Sequence, residues 1–114
     1  MKTVTYLPSF QGDVMIRRVD LLPAGLKLSA PDAAGNHIVA HSETGHHHVV
    51  KERGAQLLID ETNAFIAYLN VVEPTVLEHL RSFDTHGPYL LEPGQYEIRR
   101  QRQHAPEGWR RAAD

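Results

Sequence analysis

Between Gly12 and Gln101 the chain is interrupted every few residues by glycine, proline, asparagine or aspartate, and the segments between these breaks are short. Helices need longer runs with a period near 3.6, whereas strands need only a few residues with a period of two. The pattern therefore predicts an all-β fold, a small antiparallel barrel or sandwich. Residues 14–19 read as a strand opened by Gly12-Asp13 and closed by Leu22-Pro23-Ala24-Gly25. Shorter strands follow at 26–29 and 37–41, with a loop at 31–36 between them. Residues 46–51 resume the strand pattern beyond Gly45, and 55–60 form the next strand. Residues 64–72 are apolar almost throughout, as a strand buried on both faces is. Residues 76–80 fit a strand or one helical turn equally well, so helix is expected only near residues 74–85. Glu92-Pro93-Gly94-Gln95 has the proline–glycine pair of a type II turn and predicts a closing hairpin between 89–91 and 96–101.

At 114 residues the chain suits one domain, 1–114, with residues 105–114 expected as a loosely held tail. It has no cysteine, which excludes disulfides, thiolate metal sites and thiol nucleophiles. No apolar run approaches the roughly 18 residues of a membrane helix, and the start Met1-Lys2-Thr3-Val4 does not read as a secretion signal. A cytoplasmic location without membrane contact is the expectation. Net charge is -2, yet residues 97–114 carry five arginines against Glu97, Glu107 and Asp114. Arg99, Arg100 and Arg102 are expected on a solvent-accessible edge strand and tail, and nucleic acid is not expected as a partner.

The unusual residues lie at His41-Ser42-Glu43-Thr44-Gly45-His46-His47-His48. On an extended backbone His46 and His48 face one way, about 7 Å apart along the strand, which is a chelating geometry. Gly45 permits a kink that aims both rings inward. His86, before the rigid Gly87-Pro88, is the third candidate ligand, and His79 or Glu52 the fourth. Glu43 can serve as ligand or as acceptor for an imidazole N–H. His37, His41, His47 and His104 are expected to be exposed or structural. Ser42, Ser82 and Thr85 lack the surroundings of an activated nucleophile.

His46-His47-His48-Val49-Val50-Lys51-Glu52 resembles the His-x-His-x-x-x-Glu centre of the first cupin motif, which in that family supplies three metal ligands on a small β barrel. The resemblance implies a cupin-like fold and site. Thr44-Gly45-His46-His47-His48, His86-Gly87-Pro88 and Leu91-Glu92-Pro93-Gly94-Gln95-Tyr96 are together similar to segments of small uncharacterised bacterial and phage-associated proteins. That likeness supports His46, His48 and His86 as a set and implies no activity.

The expectation is a metal-binding small β protein with a histidine-lined pocket, a cupin-like metalloenzyme acting on a small molecule. Its cofactor would be a divalent transition metal, namely zinc, iron, nickel, copper or manganese, since all suit nitrogen and oxygen donors. A small-molecule ligand and a homo-oligomer are compatible partners. The competing expectation is a non-catalytic, phage-associated or structural β module whose histidines form a polar cluster.

Overall fold

The computed structural model describes residues 1–40, 47–79 and 87–100 in full, and 102–105 and 108–111 through their backbone pairing. In chain order the strands are β1 (Lys2–Thr3), β2 (Ser9–Gln11), β3 (Val14–Val19), β4 (Lys27–Ser29), β5 (Asn36–Ala40), β6 (His48–Lys51), β7 (Ala55–Ile59), β8 (Ile66–Val71), β9 (Thr75–His79), β10 (Tyr89–Leu91), β11 (Gly94–Arg100), β12 (Arg102–Ala105) and β13 (Gly108–Arg111). Helix among the described residues is limited to a 3-10 turn, Glu52–Gly54. One five-stranded sheet runs β1-β10-β9-β6-β5 and one six-stranded sheet β2-β3-β11-β8-β7-β4, while β12 and β13 pair with each other. The pairings are antiparallel except β1 with β10. Among the described residues neither sheet closes on itself, so the expected antiparallel β fold takes the form of two open sheets rather than a barrel.

Alternation along the strands builds the core. Val14 and Ile16 of β3, Leu57 of β7, Leu69 and Val71 of β8, and Tyr96 and Ile98 of β11 form one buried cluster with Val50, Leu77 and Leu91 of the other sheet. Each is a period-two position, so its neighbours in the strand point outward. Among the described residues no helix is long and apolar enough to cross a membrane.

Four expectations need correction. The ambiguous segment after Pro74 is strand β9, because Thr75, Leu77 and His79 face inward at 8%, 0% and 8% exposure while Val76 and Glu78 alternate with them. A helical turn there would break that alignment and the ladder to β10. The closing hairpin is absent: β10 pairs in the five-stranded sheet and β11 in the six-stranded one, so Glu92-Pro93-Gly94 carries the chain between sheets. Glycine at 94 reflects close approach, since a Cβ there would lie 2.6 Å from Arg18 Nη2, which donates to the Pro93 carbonyl at 2.6 Å.

The third correction concerns the arginines. β11 lies between β3 and β8 and is central, not an edge. Arg99 points outward, where Glu97 Oε1 accepts from it at 3.0 Å and from Arg17 at 3.2 Å. Arg100 turns inward and is 11% exposed at its side chain, as the period of two requires. The side chain of Arg102 lies outside the described residues. Finally, β8 is not buried on both faces along its length: Tyr68 is buried on the outer face at 7% exposure, but Ile66 and Asn70 are only half-buried. The sequence pattern also misses β1 and β2, which are short and sit at sheet edges.

Candidate functional site

Five inward side chains meet at one end of the two sheets. The end is set by topology: β5 and β9 finish there, β6 begins there, β11 ends there, and Gly12-Asp13 turns β2 into β3. That turn has two residues between paired Gln11 and Val14, with Gly12 at φ +61 in its first central position, the conformation that favours glycine. It also lets the backbone approach closely, since a Cβ on Gly12 would sit 3.2 Å from His79 Cε1 and 3.5 Å from His48 Cε1.

His48 and His79 are directly paired across β6 and β9, so both side chains emerge on one face. Their rings stack at 3.9 Å between centroids with an interplanar angle of 14°. His48 is fully buried and is held by Gln11, itself fully buried. The Gln11 amide nitrogen donates to the carbonyls of Leu77 at 3.1 Å and Gly87 at 3.2 Å, leaving its oxygen 2.8 Å from His48 Nδ1. The reverse amide orientation would set oxygen against two carbonyl oxygens. His48 Nδ1 therefore carries the hydrogen and donates it. His48 Nε2 is buried, has no hydrogen-bond partner among the described residues, and lies 3.6 Å from Asp13 Oδ1. Asp13 Oδ2 in turn lies 3.9 Å from Arg100 Nε.

The structure thus brings together two of the predicted ligands, His48 and His79. Stacked, nearly parallel rings cannot both direct an in-plane lone pair at one ion, so this pair does not chelate in the arrangement seen. Glu52 stands apart, exposed in the 3-10 turn after β6, with its Oε1 against Gly35. His46 and His86, and Glu43 with them, lie outside the described residues. Among the described residues no group of three or more histidine, cysteine, aspartate or glutamate side chains is placed to hold a metal ion. His37 is structural, as expected: it is buried, and its Nε2 donates to the Ala55 carbonyl at 3.1 Å.

Sequence reasoning missed Gln11, Asp13 and Arg100. Asp13 was legible only as half of a turn signal, and Arg100 only as one charge in a basic stretch. A polar residue directly before Gly12-Asp13 was the available signal for Gln11, since a two-residue hairpin fixes which positions face inward.

Beside this cluster, between the sheets, lies a cavity of about 400 Å³ with Arg100 in its wall. Its apolar lining includes Ala40, Leu57, Ile59, Ala67 and Ile98, and the loop joining β7 to β8 forms its rim. In that loop Asp60 Oδ1 accepts from the Thr62 hydroxyl at 2.6 Å and from its backbone N–H at 2.9 Å. The hydroxyl first, then the N–H, holds the Asp60 carboxyl below its ordinary range. Replacing Thr62 by valine should raise the Asp60 titration midpoint, observed by NMR of its carboxyl carbon. A depressed folded pKa adds stability above the unfolded value and loses it as pH falls through the folded one, so the variant should lose this contribution at neutral pH. An unchanged midpoint would assign the shift to another cause.

No curated protein and no solved structure matches this chain. A family model described as Domain of unknown function (DUF8820) matches residues 10–101, a span that includes both sheets' central strands and the cluster of Gln11, Asp13, His48, His79 and Arg100. The chain belongs to that family of domains of unknown function.

Proposed function

We propose that this domain binds a divalent transition metal at the loop end of the two sheets, with His48 coordinating through Nε2, Asp13 through its carboxylate, and His46 and His86 as further imidazoles. In this reading the protein is a cupin-like metalloenzyme that presents the ion to a small molecule. The supporting observation is the state of His48: fully buried, with its Nδ1 hydrogen committed to Gln11 and its Nε2, beside Asp13, lacking a hydrogen-bond partner among the described residues. Metal-ligating histidines are oriented this way, one nitrogen donating to a protein oxygen and the other directed at the ion. A nitrogen and oxygen set suits zinc, iron, nickel, copper or manganese. A bound ion would act as a Lewis acid on a substrate oxygen or on water. Glu52 has no part in this set.

The stacking of His48 on His79 favours a second reading, a non-catalytic module in which the imidazoles form a polar cluster that fixes the loop end. Metal content separates the two. Untagged protein should carry about one ion per chain by elemental analysis, and zinc titration after chelation should restore it. Asp13→Asn should weaken zinc binding by about 10- to 100-fold and His48→Ala by about 100-fold or more, whereas His47→Ala should leave it nearly unchanged. Asp13→Asn is nearly isosteric and decides the matter if His48→Ala does not fold. Protein that is folded, metal-free and indifferent to zinc would establish the second reading.

A further inference from the structure

The two sheets meet differently on their two flanks. On the β1–β2 flank side chains join them: the Tyr89 hydroxyl donates to the Phe10 carbonyl at 2.9 Å, and Gln11 to the Leu77 carbonyl at 3.1 Å. On the opposite flank β4 and β5 are the end strands of their sheets, each paired on one side only among the described residues. Between them run two adjoining cavities of about 400 and 200 Å³, which share Ser29, Ile38 and Leu57 in their walls. We infer that this cleft receives an extended basic segment of a partner protein, which pairs as a strand with β5 at Ile38 and sets a cation at each end. The backbone of β5 fixes the mode of binding. Just before it, the Gly35 carbonyl accepts from the Glu52 N–H at 3.0 Å, on the β6 side. The Asn36 N–H instead donates to Asp32 Oδ1 at 3.0 Å and its carbonyl accepts from the Asp32 N–H at 2.8 Å, on the other side. Backbone groups alternate in this way along an antiparallel strand, so the N–H and C=O of Ile38 face away from β6 as those of Asn36 do. Among the described residues neither is taken. An incoming strand meets both, as in strand addition at a sheet edge.

The walls suit a peptide rather than a hydrocarbon. Ile38 and Leu57 offer apolar surface, while Ser29 and Asn63 offer polar groups. Asn36 Oδ1, in the wall of the smaller cavity, is buried with no hydrogen-bond partner among the described residues. A donor brought to that oxygen removes the cost of an unmet buried acceptor. Charge then selects a basic segment. Asp32 lines the smaller cavity and Asp60 the larger, and among the described residues no cation pairs with either. The other charges of the walls are opposed already: Glu61 pairs with Lys27 at 3.2 Å, and Arg100 faces Asp13 Oδ2 at 3.9 Å. In both aspartates it is Oδ1 that holds the loop, accepting from the Ala34 and Asn36 N–H groups in one and from Thr62 in the other, which leaves Oδ2 to a ligand. Ser29 lies opposite Leu57 in the antiparallel β4–β7 pair, and Asp32 and Asp60 follow them in opposite directions. The carboxylates are therefore at most roughly 20 Å apart, the span of about six extended residues.

The test is an amide NMR titration of the untagged full chain with the capped heptapeptide Lys-Thr-Val-Thr-Val-Thr-Lys, whose lysines and valines share one face when extended. Shifts should concentrate on Ser29, Leu57 and the strand from Asn36 to Ala40. Glutamate in place of both lysines should weaken binding at least ~10-fold at low salt, since attraction becomes repulsion at two sites. N-methylation of the central residues removes the pairing N–H groups at unchanged charge and should weaken it at least ~10-fold as well. The double variant Asp32→Asn, Asp60→Asn keeps each Oδ1 acceptor and hence both loops, and should bring the lysine and glutamate peptides within about twofold of each other. The peptide comparisons use the parent protein, so they decide the matter even if the double variant does not fold. Equal binding of the lysine and glutamate peptides, undiminished binding after N-methylation, or shifts centred away from β5 would each overturn the assignment. An α,ω-diaminooctane that reproduces the same shifts would overturn it in favour of a small diamine.

Discussion

Gln11→Leu is expected to lower the melting temperature by roughly 15 to 25 °C, a destabilisation of about 4 to 6 kcal/mol. Leucine matches the glutamine in size and leaves no void, so the loss isolates the polar contacts. Gln11 is fully buried and makes three of them, to the Leu77 and Gly87 carbonyls and to His48 Nδ1. Each is worth about 1 kcal/mol when intact, but the buried imidazole N–H left without an acceptor costs about 1 to 3 kcal/mol in addition. Thermal unfolding followed by circular dichroism measures the effect. A midpoint within about 2 °C of the parent would mean that Gln11 does not organise the loop end. The variant should also lose any metal affinity that depends on the His48 ring orientation.

Tyr96→Ala should cost about 3 to 5 kcal/mol, the range for removing a large aromatic side chain from a packed core. Tyr96 is fully buried in the central strand β11, and its side chain joins the cluster that both sheets share. Tyr96→Phe should cost only about 1 kcal/mol, since it removes the hydroxyl alone. That hydroxyl donates to the Glu92 carbonyl at 2.6 Å, at the segment that carries the chain from one sheet to the other. Burial pushes the phenol pKa up, which keeps the donor protonated across the neutral range. Urea unfolding of the two variants gives both numbers. A Phe variant as damaged as the Ala variant would shift the weight from packing to the crossover hydrogen bond.

The sequence by itself determined the fold class and most strands, because these depend on local quantities. The breaks that bound 14–19 and 55–59 and the alternation from Tyr96 to Arg100 are read one residue at a time, and a period of two is hard to satisfy as anything but a half-buried strand. It also determined that His48 faces inward with its neighbours outward, and that histidine was the residue type to follow. Tertiary structure alone decided which strands pair. Pro93-Gly94 reads as a hairpin turn, yet packing against Arg18 and the cores of two different sheets makes it a crossover. The apolar content of 64–72 could not show that β8 would be central with a half-exposed outer face, since that depends on what covers the sheet. Arg100 looked like surface charge, and only the position of β11 between β3 and β8 turns it into the wall of a cavity. The partners of His48 are decided at the greatest distance: Gln11 lies 37 residues away in sequence and Asp13 arrives on the turn of a different sheet. No local pattern encodes such contacts, because they are fixed by the packing of the two sheets and not by the conformational preference of any residue in them.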